Sequence, residues 1–161
     1  MSAIGSYAIL RRSHLPACAD GALRIRSEST GKWPFRKKAV VGIDEFNEAW
    51  QAAVVEEVSF DYSGYVLGNY LDAQQAVNQT QIADEQSELT RALCKVFTTA
   101  FPFEAPVALP ELASELLLAF CQEEHGSDAQ GMFEALMAAH SFYQKGLSNI
   151  TSENLVIFII R

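Results

Sequence analysis

His14, His125 and His140 are the side chains of this chain best suited to proton transfer near neutral pH, since imidazole alone has an unperturbed pKa in that range. His140 shares a helical stripe with Phe133, Leu136, Met137 and Tyr143, so a core histidine hydrogen-bonded to a neighbour is expected there rather than a catalytic base. His125 follows Glu123 and Glu124 in what reads as the last turn of a helix, where the macrodipole favours a cation. Three consecutive helical residues cannot converge on one metal ion from one face. His14, beside Arg11 and Arg12, reads as a solvated turn. Cys18, Cys94 and Cys121 are far apart and form no Cys-x-x-Cys pair, so each is expected to be a small buried hydrophobe. No Gly-x-Ser-x-Gly elbow, phosphate loop or His-Glu-x-x-His is present, so catalytic residues are left unassigned and no metal or cofactor is expected.

Two stretches have compositions that suit binding. Residues 60–75 combine Tyr62, Tyr65 and Tyr70 with Asp61, Asn69 and Asp72, and Gly64 and Gly68 lower the helix propensity. One reading is an amphipathic helix capped by Ser63 that buries Val66, Leu67, Tyr70 and Leu71. The sharper reading makes Asp61, Tyr62, Tyr65 and Asn69 a cleft or partner surface, because tyrosine offers large contact area at low entropic cost. Residues 31–38 interleave Trp33 and Phe35 with Lys32, Arg36, Lys37 and Lys38. Aromatics among cations could stack on bases while the cations meet phosphates. A net charge of −8 opposes that over most of the surface, and a hairpin loop around Pro34 is the plainer expectation.

The charge is unevenly placed. Residues 1–38 hold eight of the twelve basic residues and two of the twenty acidic ones, giving +6 there and −14 in the remainder. A basic face beside an acidic body can orient the molecule towards a charged partner. With 161 residues, 49% hydrophobic composition and 20% charge, the chain is long and apolar enough for one domain with a real core. The longest apolar run, 155–160, is far too short to cross a bilayer, so a soluble cytoplasmic protein without a membrane partner is expected.

Hydrophobic periodicity divides the chain into a strand-rich region 1–43, a helical region 44–146 and a closing strand 155–160. Residues 7–10, 22–25 and 39–43 read as short strands, with Leu23 and Ile25 on one face and Arg24 and Arg26 on the other. Asp44 is placed as the N-cap of a helix striped by Phe46, Ala49, Trp50, Ala53 and Val54. A helix capped by Asp84 turns Leu89, Ala92, Leu93, Val96 and Phe97 inward and stops at Pro102. A third opens at Pro110, with Leu112, Leu116, Leu117 and Phe120 inward, and closes at Gly126. The last runs over 128–145 and ends at Gly146. The run 155–160 lacks alternation and is rich in β-branched residues, which predicts a strand buried on both faces and flanked on each side by segments of the first 43 residues. The fold class expected is α+β: a small mixed sheet of N-terminal strands plus the C-terminal strand, packed against four to five helices.

Residues 1–9, with Ser13 and Leu15, are similar to the start of the bacterial YfbM-like family of unknown function. Residues 139–147 and the strand 155–160 resemble that family's last helix and strand. The resemblance covers the two ends of the chain, and it implies an α+β fold and no known activity.

Without a catalytic motif, the expected function is recognition of another protein through Arg24, Arg26, Trp33 and Arg36, or through Asp61, Tyr62, Tyr65 and Asn69. An immunity-like role is one version, by analogy with other small acidic domains. A homo-oligomer is compatible with the sequence. The alternatives are a small hydrolase or transferase gathering Asp61, Tyr65 and His140 or His14, and nucleic-acid binding through the basic N-terminal face.

Overall fold

The structure, a computed structural model, describes residues 3–30, 37–78 and 87–161. Its elements run in the order β1 (Ile4–Arg11), α1 (Leu15–Arg24), β2 (Arg26–Thr30), β3 (Lys37–Val41), α2 (Ile43–Ala53), β4 (Val54–Ser63), α3 (Tyr65–Asn78), α4 (Glu88–Leu93), β5 (Thr99–Phe103), α5 (Ser114–His125), α6 (Ala129–Leu147) and β6 (Asn154–Ile160). Single 3₁₀ turns, Arg12–His14 and Gly126–Asp128, lead into α1 and α6. The main sheet has the order β4-β1-β6-β5, and every pairing in it is antiparallel. The α+β class and the closing C-terminal strand therefore stand, with an antiparallel sheet in place of a mixed one.

The inner strands β1 and β6 are buried along almost their whole length, and their side chains alternate between two cores. Tyr7, Ile9, Val156, Phe158 and Ile160 face a core closed by α3, α5 and α6. Ala8, Leu10, Leu155, Ile157 and Ile159 face a second, closed by α1, α2 and α4. Helices on both faces explain why 155–160 shows no polar alternation: neither side of β6 meets water.

Its neighbours differ from expectation on one side. β1 flanks it as predicted, but the other neighbour is β5, whose Phe101 and Pro102 lie opposite Phe158 and Ile157. Pro102 ends no helix; it sits on an edge strand, where a missing N–H costs no ladder bond on the open side. The other edge, β4, continues directly from α2, so Val54 begins a strand rather than completing a helical stripe. Residues 22–25 are not a strand either. Ala22, Leu23 and Arg24 close α1, which starts at Leu15 with Pro16 in its first turn and packs Cys18, Gly21 and Ala22 inward, while Leu23 is 43% exposed. Four alternating residues were too short a run to outweigh the i, i+3, i+4 spacing of that helix.

The starts of the other helices move by about a turn, and the helix expected to run to Pro102 ends more than two turns earlier, at Leu93. Gly42 caps α2, leaving Asp44 in the first turn, and Ser87 caps α4 by accepting from the Thr90 amide at 3.0 Å. Asp84 lies outside the described residues. Leu93 ends α4, so Val96 and Phe97 lie beyond it. α5 starts at Ser114 rather than at Pro110, which turns Leu116 outward to 58% exposure. Gly126 does close α5, with φ +54°. Cys18 and Cys121 are buried as expected, whereas Cys94 is exposed.

Gly146 is a packing residue rather than a helix stop. It lies inside α6, buried, and a Cβ there would come within 2.6 Å of the Phe158 ring and 3.2 Å of Tyr7. Its lack of a side chain lets α6 rest directly on the aromatic centre of the sheet. Gly68, inside α3, has nothing within 4 Å of the equivalent point. Gly146→Val should therefore lower stability by about 1–3 kcal/mol through overpacking. Gly68→Ala should leave it unchanged or raise it by up to about 1 kcal/mol through helix propensity. Chemical unfolding of both variants checks the contrast, and equal effects would contradict it.

Candidate functional site

Four places bring chemistry-bearing side chains together, and each follows from how the chain enters its element. The first is the hairpin β2–β3, whose strands pair with each other, Arg26 opposite Val41 and Thr30 opposite Lys37, and with no strand of the main sheet. Arg24 ends α1 exposed at its foot, and Arg26 on β2 donates from Nε to Glu28 at 2.6 Å with both side chains largely in solvent. Exposed ion pairs of this kind contribute about 0–1 kcal/mol, so the pair does not anchor the hairpin. Val40 and Val41 are 59% and 37% exposed. Trp33 and Arg36 lie outside the described residues.

Two other arginines of the basic N-terminal region are committed to the fold. Arg11 donates to the Ala52 carbonyl at 3.0 Å, and Arg12 donates to the carbonyls of Thr151 and Glu104. They tie the end of β1 to the chain leaving α2, to the segment entering β6 and to the segment after β5. The charge asymmetry of the sequence is thus split between structural cations at the end of β1 and just after it, and cations on or beside the hairpin.

The second place is a groove of about 230 Å³ between β4 and α6. Asp61 and Tyr62 line it from the strand, and Phe142 and Lys145 from the helix. The Tyr62 ring packs 5.5 Å from Phe60, which in turn packs 4.9 Å from Phe142. Tyr65 and Asn69 do not join them. Tyr65 opens α3 with 57% exposure and Asn69 is half-buried on the same helix, so the four residues singled out in the sequence divide into two pairs. Ser63, expected as a cap, is the last residue of β4.

The third was not visible in the sequence. Glu57, on β4, accepts from Ser6 Oγ at 2.9 Å and from both terminal nitrogens of Arg161, whose guanidinium lies 5.2 Å from the Phe97 ring centroid. Burial would raise the Glu57 carboxyl, but bonds from Arg161, Ser6 and Trp50 and the guanidinium charge outweigh it and hold the group below its usual value. A cleft of about 350 Å³ opens over the pair. The partners are 57 and 161 in sequence, and only the β4-β1-β6 order brings them together.

The fourth is a buried polar chain between α3 and α6. The Gln74 amide donates to Tyr70 Oη at 2.8 Å and to the Pro110 carbonyl at 3.2 Å, and it accepts from Asn78 at 2.7 Å. Tyr70 Oη is in turn hydrogen-bonded to His140 Nδ1 at 2.8 Å, the donor being set by the imidazole tautomer. Burial pushes the Tyr70 phenol up to about 12, with the Gln74 bond opposing it. Burial likewise lowers His140 below 6.5, against a smaller upward pull from Glu111. His140 is therefore the hydrogen-bonded core histidine that its helical stripe implied.

Among the described residues, Asp61, Tyr65 and His140 or His14 do not gather into one catalytic constellation. His14 lies just beyond Arg11 at one end of β1, with Nδ1 3.0 Å from Ser13 Oγ, while Ser63, two residues before Tyr65, pairs with Ile4 at the other end. An eight-residue strand separates the two, roughly 25 Å at the usual rise. His140 is taken up by Tyr70. Among the described residues no group of three His, Cys, Asp or Glu could hold a metal ion, and no helix is long and apolar enough to cross a membrane. Comparison with known proteins finds no matching family model, curated protein or solved structure.

The buried chain carries a pH signature. The folded protein binds the His140 proton less readily than the unfolded chain, so its contribution to stability is full above pH 6.5 and declines as the pH falls below that value. Tyr70 and Tyr143, also raised by burial, stay neutral throughout this window, and Glu111 opposes the shift. Urea unfolding just below pH 6.5 should show a decline in the wild type that is smaller in His140→Gln. Tyr70→Phe should cost about 1–3 kcal/mol by leaving His140 and Gln74 short of a partner.

Proposed function

We propose that this chain is a protein-recognition domain whose contact surface is the basic hairpin β2–β3 together with Arg24. The observation that carries this reading is the hairpin's isolation: it pairs with no strand of the main sheet, yet it holds Arg26, Lys37 and Lys38 and exposes Val40 and Val41. A lone two-stranded hairpin is at best marginally stable in water, and a partner surface would supply the cover its valines lack. The cations would steer an acidic partner and penalise a basic one. Neutralisation of another protein, as an immunity-like domain performs it, is one form this recognition takes, argued by analogy alone. The enzyme reading is weaker, because Asp61, Tyr65, His14 and His140 do not converge.

Arg24→Glu with Arg26→Glu should leave thermal unfolding within about 1 kcal/mol of wild type, since both side chains are exposed. The same pair should sharply weaken capture of a partner from the native cell, and added salt should weaken capture by the wild type. If capture survives that change but is lost in Tyr62→Ala, the groove between β4 and α6 is the interface instead. Loss in neither variant would return the enzyme reading to first place.

A further inference from the structure

Building on the reading of the hairpin as a recognition surface, we propose that its partner is a second copy of this chain, which receives β3 as an added strand along the free edge of β4. Both strands have an unused hydrogen-bonding side. β4 is the outer strand of the main sheet, ten residues long and covered on one side by β1, and β3 is paired on one side by β2. Such edges are templates for another strand. At about 3.3 Å per residue, the five residues of β3 fit well within the length of β4.

Charge selects which edges meet. β3 opens with Lys37 and Lys38 and has Arg26 beside it on β2, whereas β4 carries Glu56, Glu57 and Asp61. Glu57 is held by Arg161, which leaves the exposed Glu56 and Asp61 as the carboxylates of β4 outside that pair. Pairing β4 with another β4 sets carboxylates against carboxylates, and pairing β3 with another β3 sets cations against cations. The complementary pairing is β3 on β4. In the antiparallel register that sets Lys38 opposite Glu56, it also brings Val40 and Val41, which one copy leaves exposed, beside the start of β4, where Val55 is 50% exposed. One copy does not satisfy this internally, since β3 and β4 lie in separate sheets. Two copies related by a two-fold axis exchange one hairpin each, giving a closed dimer with both contacts made.

Sedimentation of the full-length chain over a concentration series tests the proposal. Wild type should dimerise, and salt should weaken the dimer. Lys37→Glu with Lys38→Glu, and separately Glu56→Lys with Asp61→Lys, should each weaken self-association by about tenfold or more. Circular dichroism melting of each variant separates loss of the contact from loss of the fold. Mixing the two variants in equal amounts should restore a dimer, because in one contact the acidic hairpin of the first meets the basic edge of the second, and in the other the basic hairpin of the second meets the acidic edge of the first. A wild type that stays monomeric at every concentration, or a mixture that fails to associate while both variants melt like wild type, overturns the proposal. If the wild type is monomeric yet Arg24→Glu with Arg26→Glu still abolishes capture of a native partner, the second copy is excluded while the recognition surface stands. If neither self-association nor capture responds to these changes, both readings fall.

Discussion

Everything in this fold depends on one strand being dry on both sides. β6 sends Val156, Phe158 and Ile160 into one core and Leu155, Ile157 and Ile159 into the other, so a single seven-residue segment is shared by two helical layers that otherwise pack against different faces of the sheet. Fully burying such side chains stabilises by roughly 1.5–3 kcal/mol each, and losing the strand would open both layers at once. It is also the last element of the described chain, so the inner sheet is complete only when the final residues join β1 and β5. Topology of this kind, with the first and last strands adjacent, rests on contacts of high sequence separation.

The aromatic centre shows how closely the layers approach. Tyr143 packs 4.1 Å from Phe158, Phe158 lies 5.7 Å from Tyr7, and Tyr143 stacks 4.9 Å from Tyr70. Two of the hydroxyls find partners inside the same layer: Tyr143 donates to the Leu67 carbonyl at 3.0 Å, and Tyr70 shares a hydrogen bond with His140. A core this rich in ring systems still keeps the Tyr70 and Tyr143 hydroxyls hydrogen-bonded, and that requirement fixes α3 and α6 in register as well as in contact.

The sequence made the strongly patterned elements legible. The apolar run of β6, the stripes of α2 and α6 and the glycine closing α5 each showed a period or terminator long enough to read, and the core role of His140 followed from its stripe. The edge strands were missed for a shared reason. β4 alternates Val58, Phe60 and Tyr62 only after Glu56 and Glu57 interrupt it, and β5 carries Pro102, so both bear the polar and proline residues that protect open edges and that resemble loops or helix ends in a sequence. Missing β4 hid the groove beside α6 and the Glu57–Arg161 pair, since both exist only once that strand is placed against β1. Arg24 and Arg26 were placed in the right neighbourhood on the wrong element, a helix end and a separate hairpin rather than one strand.

Gly42 gives the hairpin a further meaning. Its φ of +89° turns the chain from β3 into α2, and a Cβ there would lie 3.0 Å from the Arg24 carbonyl, so the place where the chain leaves α1 and the place where it enters α2 touch. α1 and α2 meet directly as well, the Gly21 backbone resting on Phe46. The intervening segment is thus an excursion whose two feet coincide, grafted on a helix pair that packs without its help. Beyond Ile25, which packs against the second core, lengthening, trimming or exchanging it changes little of the closure entropy, which makes this stretch a part of the molecule free to vary in length and sequence while the framework keeps its shape.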